Sequence, residues 1–334
     1  MTRVAVVGVG LIGGSVALAA RRRAGAVVRG VDPNPAAAEA VDELTDLERA
    51  LDGAEIAVVA TPLGVLPDTL DAVLAAAPAG CVVTDVGSTK RVAMRSDERF
   101  VGGHPLAGSE LAGVEHARDD LFGGATWYVV PTPRTSGVLL DRLYRFVTEL
   151  GARPVTIDAE LHDRLMATIS HLPHVLANVL VEQAAALGEP AMGPSFRDAT
   201  RVAGANPALW PDILLANRDA LVAQIDTVER RLAQVRAAIE DGDRDALARW
   251  QAIAAQRRDG LVEAALHSGP SRELRLSVPN RPGVVAELTL ALGGAGINIS
   301  DMSLTPAPDN TRGEIALWVP ARDYDRALAL VKDI

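Results

Sequence analysis

The stretch RVAVVGVGLIGGSVALAA, Arg3–Ala20, decides the fold. A short apolar run meets a cluster of glycines, and an alanine- and leucine-rich segment follows directly. Gly8, Gly10 and Gly13 stand in G-x-G-x-x-G spacing between a strand pattern and a helix pattern, the context a dinucleotide loop requires. Gly8 permits the tight turn, Gly10 lets backbone approach a pyrophosphate, and Gly13 allows helix to pack closely on strand. The helix N-terminus offers free N–H groups and the positive end of a dipole to phosphates. Leu11 and Ile12, inside the spacing, are counted with the cofactor loop. Asp32 ends the next strand pattern, where a carboxylate accepts hydrogen bonds from the adenosine ribose hydroxyls. Its charge would repel a 2′-phosphate, so the expected cofactor is NAD rather than NADP. The bland alternative is a structural glycine turn with a solvent-exposed aspartate.

Outward from this loop the pattern repeats. AVVRGVD, AEIAVVATP, AGCVVTDVGS, RFVGGHP, ATWYVVPTP and ARPVTID read as further strands, with helical segments between most of them. Apolar strands alternating with helices predict a parallel sheet covered on both faces, an α/β Rossmann-type doubly wound domain over residues 1–157. From about Asp158 helical periodicity takes over, predicting an all-α substrate and dimerisation domain over 158–268, with a break at EDGD, Glu240–Asp243. Its wealth of Leu, Ile and Val points to packing against a second copy, a homodimer. HSGPS, His267–Ser271, reads as a linker. Residues 272–334 then run β-α-β-β-α, a small α+β, ferredoxin-like module. The chain stops at Ile334 where a closing strand would follow, so the sequence is truncated there or the module lacks its last edge strand.

Composition excludes several classes. The formal net charge is −10 and no Lys/Arg-rich tail or basic stripe occurs, against nucleic acid as a partner. The single cysteine, Cys81, sits in the apolar run GCVVTDV; it reads as a buried structural thiol and rules out an intrachain disulfide. No signal-peptide layout and no apolar stretch of about 20 residues occurs, so no membrane segment and a cytoplasmic location are expected. Aromatic residues make up only 3%, so the cores are built from Ala, Val and Leu.

Three groups of residues carry chemistry. GGHPLAGSE, Gly102–Glu110, fits neither an amphipathic helix nor an alternating strand, so His104 reads as a loop residue at a strand end. Ser88 in DVGSTK ends the neighbouring apolar strand, so the two side chains can converge at one edge of the sheet. A histidine can take a hydroxyl proton as hydride leaves the same carbon. Thr61 and Pro62 close another strand at this edge and are expected to border the cofactor, although turn residues are common there anyway. In ISHLPHVLAN, Ser170 and His174 are four apart and share a helix face, with Pro173 between them poised to kink the helix. A substrate pocket explains these polar residues; a satisfied core pair is the alternative. His171 is assigned no role. Arg201, in DATRVAGANPALW, can clamp a carboxylate in bidentate geometry, with surface solvation as the alternative.

Taken together, GVGLIGGS, ATP, DVGSTK, GGHPLAGSE, ISHLPH and DATRVAGANPALW resemble, in order, the prephenate/arogenate dehydrogenase family of tyrosine biosynthesis. The resemblance covers roughly residues 1–268 and is most specific in HPLAGSE and SHLPH. It implies that His104 hydrogen-bonds and polarises the ring 4-hydroxyl and that Ser88 supports it. It implies that Arg201 holds a substrate carboxylate with Ser170 and His174 nearby, and that Trp210 shapes the pocket. Hydride would pass from C4 to NAD+ and the ring carboxylate would leave as CO2. LSVPNRPGVVAELTLALGGAGINISDMS resembles an ACT domain, implying an effector site, for tyrosine, at Asn280, Arg281, Pro282, Gly283 and Asn298. A simple strand-to-helix turn is the alternative for NRPG.

Two other readings compete. A β-hydroxyacid dehydrogenase would share the glycine loop and a helical second domain. That class relies on a lysine from a long helix, and no lysine lies between Asp158 and Ala265. A catalytically silent nucleotide and amino-acid sensor is opposed by the joint presence of Ser88, His104 and Arg201. Prephenate and arogenate differ by a keto group against an ammonium, so an acidic residue near the pocket would favour arogenate; Asp198 and Asp212 are the candidates.

Overall fold

The computed structural model describes residues 1–332 except 109–110, 189–191, 267–270, 280–283, 285–287, 289–290, 293–294, 296, 298–300 and 307–310. The expected effector residues Asn280, Arg281, Pro282, Gly283 and Asn298 lie outside the described residues. Two compact units, Met1–Glu229 and Arg230–Ile334, divide the chain.

The first unit is built on an eight-stranded sheet of order β3-β2-β1-β4-β5-β6-β7-β8. Its strands are β1 (Arg3–Val7), β2 (Val27–Val31), β3 (Glu43–Leu44), β4 (Ile56–Val59), β5 (Val82–Asp85), β6 (Phe100–Pro105), β7 (Thr126–Val130) and β8 (Arg153–Thr156). Successive side chains of a strand face opposite ways, and β1 shows why both faces are covered. Val4 and Val6 enter one core with Val28, Val58, Val82 and helices α1 (Leu11–Arg23) and α4 (Gly137–Glu149). Ala5 and Val7 enter the other, with Ala57, Val59, Val83 and helices α2 (Leu47–Leu51) and α3 (Leu66–Ala76). Cys81 is fully buried there, as expected, and burial pushes its thiol up to about 12.

The sheet departs from the expected pattern in two places. It is not parallel throughout: β7 runs antiparallel to β6, and β8 runs parallel to β7. A crossover helix is needed only between parallel neighbours. Accordingly α4 joins β7 to β8, whereas the β6–β7 connection carries only a short 3₁₀ turn, Val114–His116, among its described residues. Secondly, His104 is a strand residue rather than a loop residue, paired with Tyr128 of β7. Glycines stand in this strand because of close approach: a Cβ on Gly103 would lie 2.5 Å from the Asp85 carbonyl oxygen and 2.9 Å from Trp127 Nε1.

Beyond the sheet come α5 (Ala159–Met166), α6 (Leu172–Ala185), α7 (Pro194–Thr200), α8 (Trp210–Ala216) and α9 (Arg218–Glu240). α5 passes into α6 through a π-turn, Ala167–His171, just ahead of Pro173. Proline cannot donate to the carbonyl four residues back, and a π-turn takes up that mismatch without ending the helix. It also breaks the 3.6-residue count on which the shared face of Ser170 and His174 rested. Ser170 is exposed, while His174 is buried.

In the second unit the helical chain turns at Asp241–Asp243 into α10 (Arg244–Leu266), as the EDGD break predicts. Strands β9 (Ser271–Pro279), β10 (Asp301–Pro306) and β11 (Arg312–Pro320) follow, with a last helix α11 (Tyr324–Val331). The sheet order is β10-β11-β9, antiparallel throughout. Leu274, Ile315, Leu317 and Ala327 are among its core residues, and the Arg272 guanidinium lies 3.5 Å from the Tyr324 ring centroid. Among the described residues no helix is long and apolar enough to cross a membrane.

Candidate active site

The glycine loop shows why each glycine is there. Gly8 has φ +89°, and a Cβ on it would lie 2.7 Å from the Ala60 backbone; a Cβ on Gly13 would lie 1.9 Å from the Gly8 carbonyl oxygen. Gly10, the N-cap of α1, faces open space, and among the described residues no side chain caps the first-turn N–H groups. The helix carries Arg21, Arg22 and Arg23 in its last turn, complementing its dipole. Asp32 accepts hydrogen bonds from Val9 N–H (2.7 Å) through Oδ2 and from Asn34 N–H (2.8 Å) through Oδ1. Its carboxylate therefore braces the loop from below as well as standing at the end of β2.

Three strand ends and two helices meet at a cleft of about 250 Å³. Ile12 comes from α1, Thr61 follows β4, Ser88 follows β5, His104 lies on β6, and Asp212 and Ile213 come from α8. The convergence of Ser88 with His104 thus extends to the loop residue Ile12 and to Thr61. Thr61 Oγ1 is buried with no partner among the described residues. An orphaned hydroxyl beside open helix N–H groups fits a polar, phosphate-bearing dinucleotide. Pro62 lies beside Thr61 in the chain but does not line the cleft among the described residues.

The residues behind His104 form a hydrogen-bonded set that the sequence pattern did not single out. His104 Nδ1 is 2.9 Å from His162 Nε2, and His162 Nδ1 is 2.8 Å from Asp163 Oδ1. Asp163 also accepts the backbone N–H groups of Lys90 (2.7 Å) and Arg91 (3.0 Å). Burial opposes its ionisation, but hydrogen bonds from His162, Arg91 and Lys90 hold its carboxyl below the usual range. Lys90 is fully buried; its ammonium donates to Asp85 and to the Gly103 carbonyl, while Asp85 Oδ1 accepts from Gly103 N–H (3.1 Å). Burial lowers the Lys90 pKa against the pull of Asp85. Burial likewise holds His104 well below 6.5, helped by His162 and Lys90. His171, given no role, is buried and meets Asn217 Nδ2 at 3.1 Å; burial takes its imidazole down to about 4. Only Lys90 carried a signal in the sequence, as one of two lysines in the chain.

Of the remaining expected residues, His174 and Trp210 are brought into contact. The rings of His174 and Trp210 stack in parallel, 3.4 Å between centroids, and His174 Nδ1 is buried without a partner. Arg201 opens a 3₁₀ turn, Arg201–Gly204, and is exposed, as is Ser170. None of these four lines the cleft of Ser88 and His104 among the described residues; Trp210 opens α8, two residues before Asp212, which does. Of the two acidic candidates, Asp212 lines the cleft, and its carboxylate lies 2.7 Å from where a Gly64 Cβ would be; Asp198 is exposed on α7.

Known proteins match this chain along most of its length. Residues 16–156 match the family model described as prephenate dehydrogenase, nucleotide-binding domain, residues 158–253 that of the prephenate dehydrogenase dimerization domain, and residues 272–334 that of the ACT domain. A prephenate dehydrogenase of Bacillus subtilis is 32% identical over 95% of this chain and 91% of its own length. A cyclohexadienyl dehydrogenase of Zymomonas mobilis is 30% identical over 72% of this chain and 90% of its own. The crystal structure of prephenate dehydrogenase from A. aeolicus, in complex with hydroxyphenyl propionate and NAD+, superposes with a TM-score of 0.70 at 27% identity, covering 78% of this chain and 98% of that one. Synechocystis arogenate dehydrogenase superposes with a TM-score of 0.69 at 30% identity, covering 77% and 99%. With its nucleotide-binding loop, its strand-end cleft and these matches along nearly the whole chain, the protein belongs to the prephenate dehydrogenase family.

Proposed function

We propose that this enzyme oxidatively decarboxylates prephenate, arogenate or both with NAD+ as oxidant. The observation that carries the proposal is the cleft itself, in which His104 and Ser88 meet Ile12 and Thr61 beside the open N-terminus of α1. Gly8, Gly10 and Gly13, with Leu11, Ile12, Thr61 and Pro62, would hold the dinucleotide, and Asp32 its adenosine ribose. When bound, NAD+ supplies the hydride acceptor. His104 accepts the hydrogen bond of the substrate 4-hydroxyl and Ser88 supports it, so electron density is drawn toward C4 as its hydride departs. The C1–carboxylate bond then breaks, CO2 leaves, and the electron pair enters the ring, which becomes aromatic. The proton held by His104 returns to the phenolic oxygen, so none is consumed. Arg201 would clamp a substrate carboxylate, with Ser170, His174 and Trp210 shaping that end of the pocket.

Asp212 favours acceptance of arogenate, because a carboxylate in the cleft can pair with its side-chain ammonium and not with a keto group. We further read residues 1–157, 158–268 and 272–334 as the nucleotide, dimerisation and ACT regions. A homodimer is supported by exposed apolar residues along α6, Leu176, Val179 and Leu180. Tyrosine is the proposed effector of the C-terminal module. Steady-state assays with both substrates and both NAD+ and NADP+, with and without tyrosine, test these assignments. Turnover of neither substrate would overturn the reading, and insensitivity to tyrosine would overturn the effector. Arg201→Ala is expected to raise the substrate KM by about 10-fold or more, the loss of a charge-assisted bidentate contact. Its NAD+ affinity should be unchanged, which titration calorimetry would check.

A further inference from the structure

The proposed reaction needs a proton acceptor on the side of His104 that faces the substrate, and an imidazole can offer its lone pair at either nitrogen. The contacts behind the ring decide which. An ionised carboxylate only accepts hydrogen bonds, so Asp163 Oδ1, at 2.8 Å, requires a proton on His162 Nδ1. The His162 ring is fully buried, so a second proton on it would add an expensive charge. Neutral, with its proton on Nδ1, His162 presents a lone pair at Nε2. The 2.9 Å contact then places the His104 proton on Nδ1. The nitrogen left for the cleft is Nε2, with its lone pair free. Further contacts hold this hydrogen-bonded set in place. Asp163 is fixed by the N–H groups of Lys90 and Arg91, and its own carbonyl accepts from Asn217 Nδ2 at 2.7 Å. Tyr128 packs edge-on to His162, ring centroids 5.5 Å apart.

We propose that His162 and Asp163 are positioning residues that lock His104 in its Nδ1–H tautomer, so that Nε2 is the proton acceptor of the reaction. Through the same contacts, the proton gained by His104 leaves a cation that the Asp163 carboxylate offsets through His162. The lock rests on the proposed function for its purpose, but not for its existence, and the two can be tested apart. In the resting full-length protein labelled with ¹⁵N-histidine, the ring signals of His104, identified by their absence in His104→Asn, should report a protonated Nδ1 and an unprotonated Nε2 at neutral pH. A proton on Nε2, or a doubly protonated His162, overturns the proposal whatever the substrate proves to be.

Kinetics supply the second arm, once wild-type turnover is in hand. His162→Leu removes the acceptor and should lower kcat by about 10²-fold, with KM for substrate and NAD+ within about threefold, since general-base catalysis contributes on this scale. His162→Gln keeps a side-chain carbonyl to accept Nδ1–H and should restore kcat to within about tenfold of wild type. Equal losses in the two variants, an unchanged kcat in His162→Leu, or an effect confined to KM would each overturn the lock. If His162→Leu does not fold, the tautomer measurement on the wild-type protein decides.

Discussion

His104→Asn is expected to lower kcat by about 10²- to 10⁴-fold while the dissociation constant for NAD+ stays within about twofold. The separation follows from the fold. The dinucleotide loop is made by Gly8, Gly10 and Gly13 and braced by Asp32, and none of the four lines the cleft with His104 among the described residues. Asparagine keeps a hydrogen-bonding side chain of similar reach, so β6 and its pairing with Tyr128 should survive, but its amide does not take up a proton near neutrality. The wild-type pH profile tests the same assignment. The acceptor must be neutral, and burial, His162 and Lys90 hold His104 well below 6.5. Falling pH should therefore leave kcat/KM unchanged through 6.5 and reduce it only as the lowered pKa is passed. An acid limb centred at 6.5 or above, or normal turnover in His104→Asn, would remove His104 from the chemistry.

What could be read from the residues alone follows a physical divide. The glycine loop was legible because its geometry is set within a few residues: a turn that needs positive φ at Gly8 and a helix that starts at once. The doubly wound sheet was legible because apolar strands between helices leave few alternatives. Strand direction was not, since ATWYVVPTP is equally apolar read either way, and β7 reverses after a connection that carries no crossover α-helix among its described residues. The π-turn before Pro173 displaced Ser170 from the face of His174, an effect that a 3.6-residue count cannot contain. His162 and Asp163 were invisible for a related reason. A polar pair in DAELHDRLM looks like the wet side of an amphipathic helix, and only tertiary packing against the loop after β5 buries it completely. The site therefore divides into residues announced by local pattern, such as Ser88 and His104, and residues recruited from another element to hold them.

Lys90, two residues beyond Ser88, supports the site from within the same loop, and Lys90→Met should cost about 3–5 kcal/mol of stability, the range for breaking a buried ion pair from one side. The methionine fills much of the same volume, so the loss comes from the charge that remains. Asp85 is fully buried, and without the ammonium its carboxylate keeps, among the described residues, the N–H groups of Gly87 and Gly103. This reasoning makes a second, less intuitive expectation. Lys90→Met combined with Asp85→Asn should be more stable than Lys90→Met alone, because no charge is left in the core, although the amide oxygen can accept only one of the two N–H groups that now bind separate carboxylate oxygens. Urea unfolding of the wild type and the three variants gives the coupling directly. Additive losses would mean that the pair contributes as two independent side chains. Activity should fall with Lys90→Met even in the folded fraction, since the ammonium also binds the Gly103 carbonyl, one residue from His104. Freed at that point, the strand can shift the imidazole relative to the hydroxyl it must meet, and displacements of about 1 Å at a reacting group cost on the order of 10²-fold in rate.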